Sequence, residues 1–202
     1  VLVETISAVV LAPQWNVPHR IALRDILPTA QKNPNYLSRH NYKIYEGWQT
    51  PAQEIDLTNV DWEGFNSRIN TFRFVQTPGG DNALGDVKFV LPNDKSIYLH
   101  DTNHKELFGR KMRALSSGCI RVEKPRQLAH ALLKDQNWDS ALINKVIDRA
   151  QTRPVQLKQP IPVYLMYWTS WVDENGQLQM RDDVYQRDQI NGESHKLDSI
   201  VL

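Results

Sequence analysis

Ile97-Tyr98-Leu99-His100-Asp101-Thr102, followed by Arg113-Ala114-Leu115-Ser116-Ser117-Gly118-Cys119-Ile120-Arg121-Val122, is the stretch on which the reading of this chain turns. From Ser96 to His100 the side chains alternate, with Tyr98 and His100 on one face and Ile97 and Leu99 on the other, the period of a β-strand. His100 ends that strand, where a side chain is held rigidly yet can meet solvent. A nucleophilic thiol needs a base within hydrogen-bond reach, a group that orients the base, and donors aimed at the developing oxyanion. Cys119 supplies the thiol and His100 the base. Gly118 lets the backbone turn tightly, so the N–H groups around Ser117 and Gly118 can approach a substrate carbonyl. Arg121 can favour the thiolate electrostatically or bind a carboxylate.

Outward from this stretch, Val1–Leu11 reads as a strand, and Pro13–Pro18 ends it. Arg20–Leu27 carries apolar residues at helical spacing, which Pro28 is expected to interrupt. Residues 33–75 are rich in Asn, Tyr, Trp and Pro and weak in periodicity. Short helices and loops packed around aromatics are expected there, and residues 19–71 are read as a lobe inserted into the sheet. Phe72–Val75 and Val87–Leu91 are short apolar strands around the turn-rich Thr77–Gly85. A short helix is expected near 104–114, a second from Pro125 and a third over Asp139–Ala150. Val155–Leu157 and Val163–Trp168 read as separate strands, and Asn175-Gly176 as a hairpin turn. The tail after 181 is polar.

The 202 residues are 41% hydrophobic and 23% charged, enough for one domain with a real core. A net charge of +1 argues against a nucleic-acid binder. No apolar run is long enough to span a bilayer. Glu4 and the lack of a basic leader make the apolar start a strand, not a signal peptide. The chain has no initiator Met, so it is expected to be a fragment or processed product. One cysteine allows no intrachain disulfide, leaving a buried small hydrophobe or a reactive thiol.

The wording of the opening stretch resembles the catalytic motif of the L,D-transpeptidases: a strand ending in His, then Ser-His-Gly-Cys-hydrophobic-Arg or -Asn. Here it stands as His100 and Ser116-Ser117-Gly118-Cys119-Ile120-Arg121, with Ser117 where the family's motif has His. Trp15-Asn-Val-Pro18, Asn35–Asn41, Asn82-Ala-Leu-Gly85, Val87-Lys-Phe89, Leu107-Phe108 and Arg113-Ala114 resemble the family's large Gram-negative periplasmic branch, which caps its active site. The resemblance runs from about residue 12 to residue 180. It implies a mainly β domain with peripheral helices (α+β), sandwich-like, spanning 1–202 but short of strands at its N-terminus, with 19–71 as the cap. It implies periplasmic peptidoglycan stem peptides as donor and acceptor, joined 3–3 through a Cys119 thioester, with an inner-membrane anchor outside this chain. It also implies covalent capture by carbapenem-type β-lactams, other cell-wall enzymes as partners, and no cofactor. In its terms the carbonyl of Asp101 orients His100, and Ser117 and Gly118 supply oxyanion donors.

Rival readings are a cysteine hydrolase (an L,D-carboxypeptidase or amidase) and an inactive peptidoglycan-binding domain. His100-x-x-x-His104 has the spacing of helical zinc ligands, but Asp101-Thr-Asn103 does not read as helix and no Glu follows His100. No metal is expected. Gly79, Gly80 and Gly85 fit no nucleotide fingerprint. Trp15, Trp48 and Trp62 read first as lobe packing. Trp15 is also kept, with Arg121, Tyr98 and Asn82, as a candidate substrate contact.

Overall fold

The computed structural model describes residues 2–33, 35–49, 51–57, 65–115 and 119–188. It has an α+β fold with two compact units, residues 4–163 and residues 1–3 with 164–202.

The strands wholly or mostly within residues 4–163 are β1 (Leu2–Leu11), β2 (Trp15–Asn16), β3 (Tyr42–Glu46), β4 (Gln53–Glu54), β5 (Phe72–Gln76), β6 (Val87–Val90), β7 (Leu99–His100), β8 (Ile120–Arg121) and β9 (Arg153–Leu165). Five of them form a mixed sheet in the order β8-β7-β6-β1-β9. Its register explains the placement of the chemistry. Val9 pairs with Phe89, Phe89 with Leu99 and Leu99 with Ile120. Val9, Phe89 and Leu99 are buried, and directly paired residues share a face, so this row is core. The next row is Val10, Lys88, His100 and Arg121, on the opposite face. The period of two thus sends Val87 and Phe89 inward and Lys88 and Val90 to the His100 side.

The second sheet is antiparallel, in the order β2-β5-β3-β4. Its core joins Tyr42, Ile44, Phe72 and Phe74 to Ala22, Ile26, Leu27, Ala30 and Leu37. Phe65 stacks on Phe72 at 4.0 Å between ring centroids. Residues 42–46, expected as loop, are therefore strand: Tyr42 and Ile44 alternate inward, a signal too short to stand out among the surrounding aromatics.

Helices α1 (His19–Ile21) and α2 (Leu27–Lys32) are joined by a π-helical stretch, Ala22–Ile26. Pro28, expected to interrupt the helix, is carried within it. A proline has no N–H for the i−4 carbonyl and crowds that carbonyl, and the wider π turn just before it relieves the clash. Thr29 Oγ1 donates to the Asp25 carbonyl at 2.8 Å. A third short helix, α3, covers Tyr36–Arg39. Helices α4 (Pro125–Leu133) and α5 (Ser140–Asp148) occur where the sequence signals them; α4 packs on β6 and on α5. The Asp139 carboxylate caps α5 by accepting from Leu142 N at 2.7 Å. The helix expected near 104–114 is a single 3-10 turn, Lys105–Gly109.

The two strands expected within 155–168 are one, β9, running through Pro160 and Pro162. It is an edge strand, where a missing N–H costs no ladder bond. In the second unit, β10 (Ser170–Val172) and β11 (Leu178–Met180) form the expected hairpin. Gly176 takes φ +75°, and Asp173 Oδ1 accepts from Asn175 and Gln177 N–H. Among the described residues no helix is long and apolar enough to cross a membrane.

Candidate active site

Strand β7 is shorter than its sequence pattern. Ser96 sits at φ +54°, and the Asn93 side chain ties the preceding loop, accepting from Lys95 and Ile97 N–H and donating to the Leu91 and Ile97 carbonyls. Ladder pairing therefore begins only at Leu99. On its far side β7 runs parallel to β8, Leu99 opposite Ile120 and His100 opposite Arg121. This register sets Cys119, just before β8, in line with Tyr98, just before Leu99.

Cys119 is half-buried and free, and its thiol donates to the Ser96 carbonyl at 3.6 Å. The Cys119 thiol and the Trp15 side chain both lie near enough to the Tyr98 hydroxyl to act on its acidity. Burial first, and the thiol second, push Tyr98 up to about 12, so it stays a proton donor at any working pH. The Tyr98 ring meets the His100 ring edge-on, 5.6 Å between centroids.

His100 is buried, and its Nδ1 hydrogen-bonds the Asp101 carbonyl. A carbonyl can only accept, so Nδ1 carries the proton and Nε2 of the neutral ring keeps a bare lone pair. Burial lowers His100 to about 4; the Asp101 carbonyl opposes this, while Arg121 and Lys88 on the flanking strands add to it. The imidazole is therefore neutral near pH 7.

Asp101 is fixed in turn. Its N–H donates to the Val87 carbonyl at 2.9 Å, continuing the sheet. Its buried carboxylate accepts from Thr102 N at 2.7 Å and Asp86 N at 2.9 Å, with Lys105 Nζ 3.7 Å away. Gly85, at φ +58°, makes room: a β-carbon there would lie 2.5 Å from the Asp101 carboxyl.

Cys119, His100, Asp101, Tyr98, Trp15 and Arg121 are thus brought to one end of β7 and its neighbours. Arg121 Nε is buried with no hydrogen-bond partner among the described residues. Ser117 and Gly118, the expected oxyanion donors, lie outside the described residues, as does Trp62. Asn82, expected to contact substrate, is instead engaged within the protein. It is 1% exposed, and its amide donates to the carbonyls of Pro13, Gln76 and Thr77. His104, the rival base, is exposed and pairs with Glu106 at 3.2 Å. No cluster that could hold a metal ion occurs among the described residues. The sequence gives Lys88 no role beyond its place in Val87-Lys-Phe89, and its Nζ stands 4.1 Å from the centroid of the Tyr98 ring. Its signal was a lone cation at the alternate position of an otherwise apolar strand.

The family model of the YkuD L,D-transpeptidase catalytic domain matches residues 1–157. The chain belongs to the L,D-transpeptidase family. A Haemophilus influenzae protein, whose name gives L,D-transpeptidase only as a provisional assignment, is 41% identical over 192 residues. The match covers 95% of this chain and 38% of that protein, so the domain spans about two fifths of the relative's length. The family is one of enzymes acting on peptidoglycan, and the match spans both His100 and Cys119.

Proposed function

We propose that this L,D-transpeptidase domain forms 3–3 cross-links between peptidoglycan stem peptides in the periplasm, through a thioester on Cys119. The observation that carries the reading is the orientation of His100: Nδ1 is committed to the Asp101 carbonyl, and the basic Nε2 is left on the strand beside Cys119.

In the first half-reaction Nε2 takes the thiol proton as sulfur attacks the carbonyl joining diaminopimelate at position three to D-alanine at position four. The tetrahedral oxyanion is met by the N–H groups of Ser117 and Gly118. Collapse breaks the C–N bond, the imidazolium returns its proton to the departing amine, and D-alanine leaves. In the second half-reaction the side-chain amine of another diaminopimelate attacks the thioester. His100 accepts a proton from that amine, and the sulfur leaves and is reprotonated. Arg121, with an unpartnered Nε, is suited to a substrate carboxylate.

Residues 19–71 enter this proposal as a cap that limits water, the competitor for the thioester. Support comes from Trp15: its strand is hydrogen-bonded into the sheet that also contains β3 and β4, and its side chain is near enough to the Tyr98 hydroxyl to act on its acidity.

Incubating the domain with disaccharide-tetrapeptides and analysing products by mass spectrometry tests the reading. Cross-linked dimers with released D-alanine are expected. Tripeptides alone would make the domain a hydrolase, and unchanged substrate would make it a binding module.

A further inference from the structure

We propose that Lys88 is a positioning residue for the acyl-transfer chemistry, acting through Tyr98 to stabilise the anionic sulfur of Cys119. The inference rests on the reading of Cys119 as nucleophile and adds to it a residue outside the His100 and Ser116–Arg121 catalytic motif.

Lys88 lies opposite His100 in the β6–β7 register, so its side chain leaves the sheet on the catalytic face. The residue is half-buried. It folds over the Tyr98 ring, 4.1 Å from the centroid. That cation–π contact holds a positive charge against the ring that the β7–β8 register sets in line with Cys119, whose charge acts on the Tyr98 hydroxyl. Burial lowers the Lys88 ammonium from its ordinary value, and negative charge on Cys119 opposes that shift. The coupling is reciprocal: a cation favoured by the thiolate favours the thiolate. The same charge disfavours an imidazolium at His100.

The groups around Tyr98 and His100 divide by strand: Lys88 on β6, Tyr98 just before β7 and His100 within it, Arg121 on β8, and Trp15 on β2. Among them the Tyr98 O–H is the neutral donor that Lys88 backs. A cation over the ring draws electron density from the phenol oxygen and strengthens its O–H as a donor. Sulfur is anionic twice in each cycle, as attacking thiolate and as leaving group from the thioester. Lys88 therefore serves acylation and deacylation alike, with no contact to substrate.

The test is the pH profile of Cys119 alkylation by iodoacetamide, followed by intact mass, for the wild type, Lys88→Met, Lys88→Gln, Lys88→Arg and Tyr98→Phe. Both neutral variants should move the profile to higher pH by half a unit or more. That corresponds to about threefold slower alkylation on the rising limb. Lys88→Arg should restore most of the loss. In a Tyr98→Phe background the effect of Lys88→Met should shrink, since the intermediary is gone. Thermal melts exclude unfolded variants, and two neutral replacements guard against one failing to fold. Superimposable profiles for wild type and folded neutral variants would overturn the proposal, as would an unrescued loss in Lys88→Arg. Alkylation reads the thiol without any transfer product. A failure here leaves the transpeptidase reading standing, and a failure of product formation leaves this result standing.

Discussion

Gly85 and the carboxyl of Asp101 are in such close approach that a β-carbon on the glycine would sit 2.5 Å from the Asp101 carboxyl carbon. The backbone there is left-handed, φ +58°, so an L side chain would be strained even in open space. The carboxyl cannot step aside, because Thr102 N and Asp86 N hold it on both oxygens.

Gly85→Ala is therefore expected to cost about 2–4 kcal/mol, from left-handed strain plus overpacking. It should also lower turnover in whatever folds, because the residue displaced is the one whose carbonyl orients His100. Chemical denaturation and turnover on the same preparation check both effects. A variant as stable as wild type would mean that the carboxyl yields.

The second expectation concerns acid. His100 is held near 4, against 6.5 for a free histidine, mainly by burial. Between those values the unfolded chain binds more protons at this site than the folded one. Stability conferred by the neutral ring is therefore full above pH 6.5 and is lost as pH falls through 4. The loss amounts to about 3 kcal/mol at most. His100→Asn should flatten the slope of stability against pH in this window. The acid limb of kcat/KM should fall nearer pH 4 than 6.5, since the base stays unprotonated. An acid limb at the free-histidine value would contradict the buried, neutral ring.

The third expectation separates nucleophile, base and bystander. Cys119→Ala should abolish cross-linking without unfolding the domain. His100→Ala should lose about 10²–10⁴-fold in turnover. His104→Ala should change little, since that ring is exposed and paired only with Glu106. A carbapenem should add covalently at Cys119 in the wild type and not in Cys119→Ala. A serine adduct, or a larger loss at His104 than at His100, would reassign the chemistry.

Much of this site was legible because its reach in sequence is short. His100 ends β7 and Cys119 immediately precedes the neighbouring β8, and the wording around them includes Asp101, whose carbonyl the His100 ring meets. The strands at 72–76 and 87–90, the helix begun by Pro125 and the hairpin at Asn175-Gly176 have strong local signals, and the structure has each of them. What sequence could not supply depends on register. Lys88 stands in Val87-Lys-Phe89 without a role until pairing sets it opposite His100. Pro28 reads as a stop until the preceding turn widens. Pro160 and Pro162 read as a break until β9 proves to be an edge. Asn82 reads as a polar residue beside a site, and only long-range contacts reveal that it faces inward.

Asn82 yields the last expectation, because its two readings predict opposite results. Its amide nitrogen donates to the Pro13 carbonyl at 3.0 Å, the Gln76 carbonyl at 3.2 Å and the Thr77 carbonyl at 3.0 Å. Its oxygen accepts from Leu84 N at 2.8 Å. Asn82→Ala would leave these main-chain groups without their partner in a closed site, where each unmade hydrogen bond costs about 1–3 kcal/mol. Relaxation and water entry will recover part of that, so a net loss of about 3 kcal/mol is expected. Asn82→Asp should be no better, since it points an oxygen at carbonyls that need a donor. The turn also ends at Gly85, which backs Asp101, so turnover should fall together with stability and not ahead of it. Held well below its melting temperature, the folded fraction of Asn82→Ala should keep a KM close to wild type. If the variant instead melts like wild type while KM rises severalfold, the side chain reaches substrate in the working enzyme and its burial describes only the empty site.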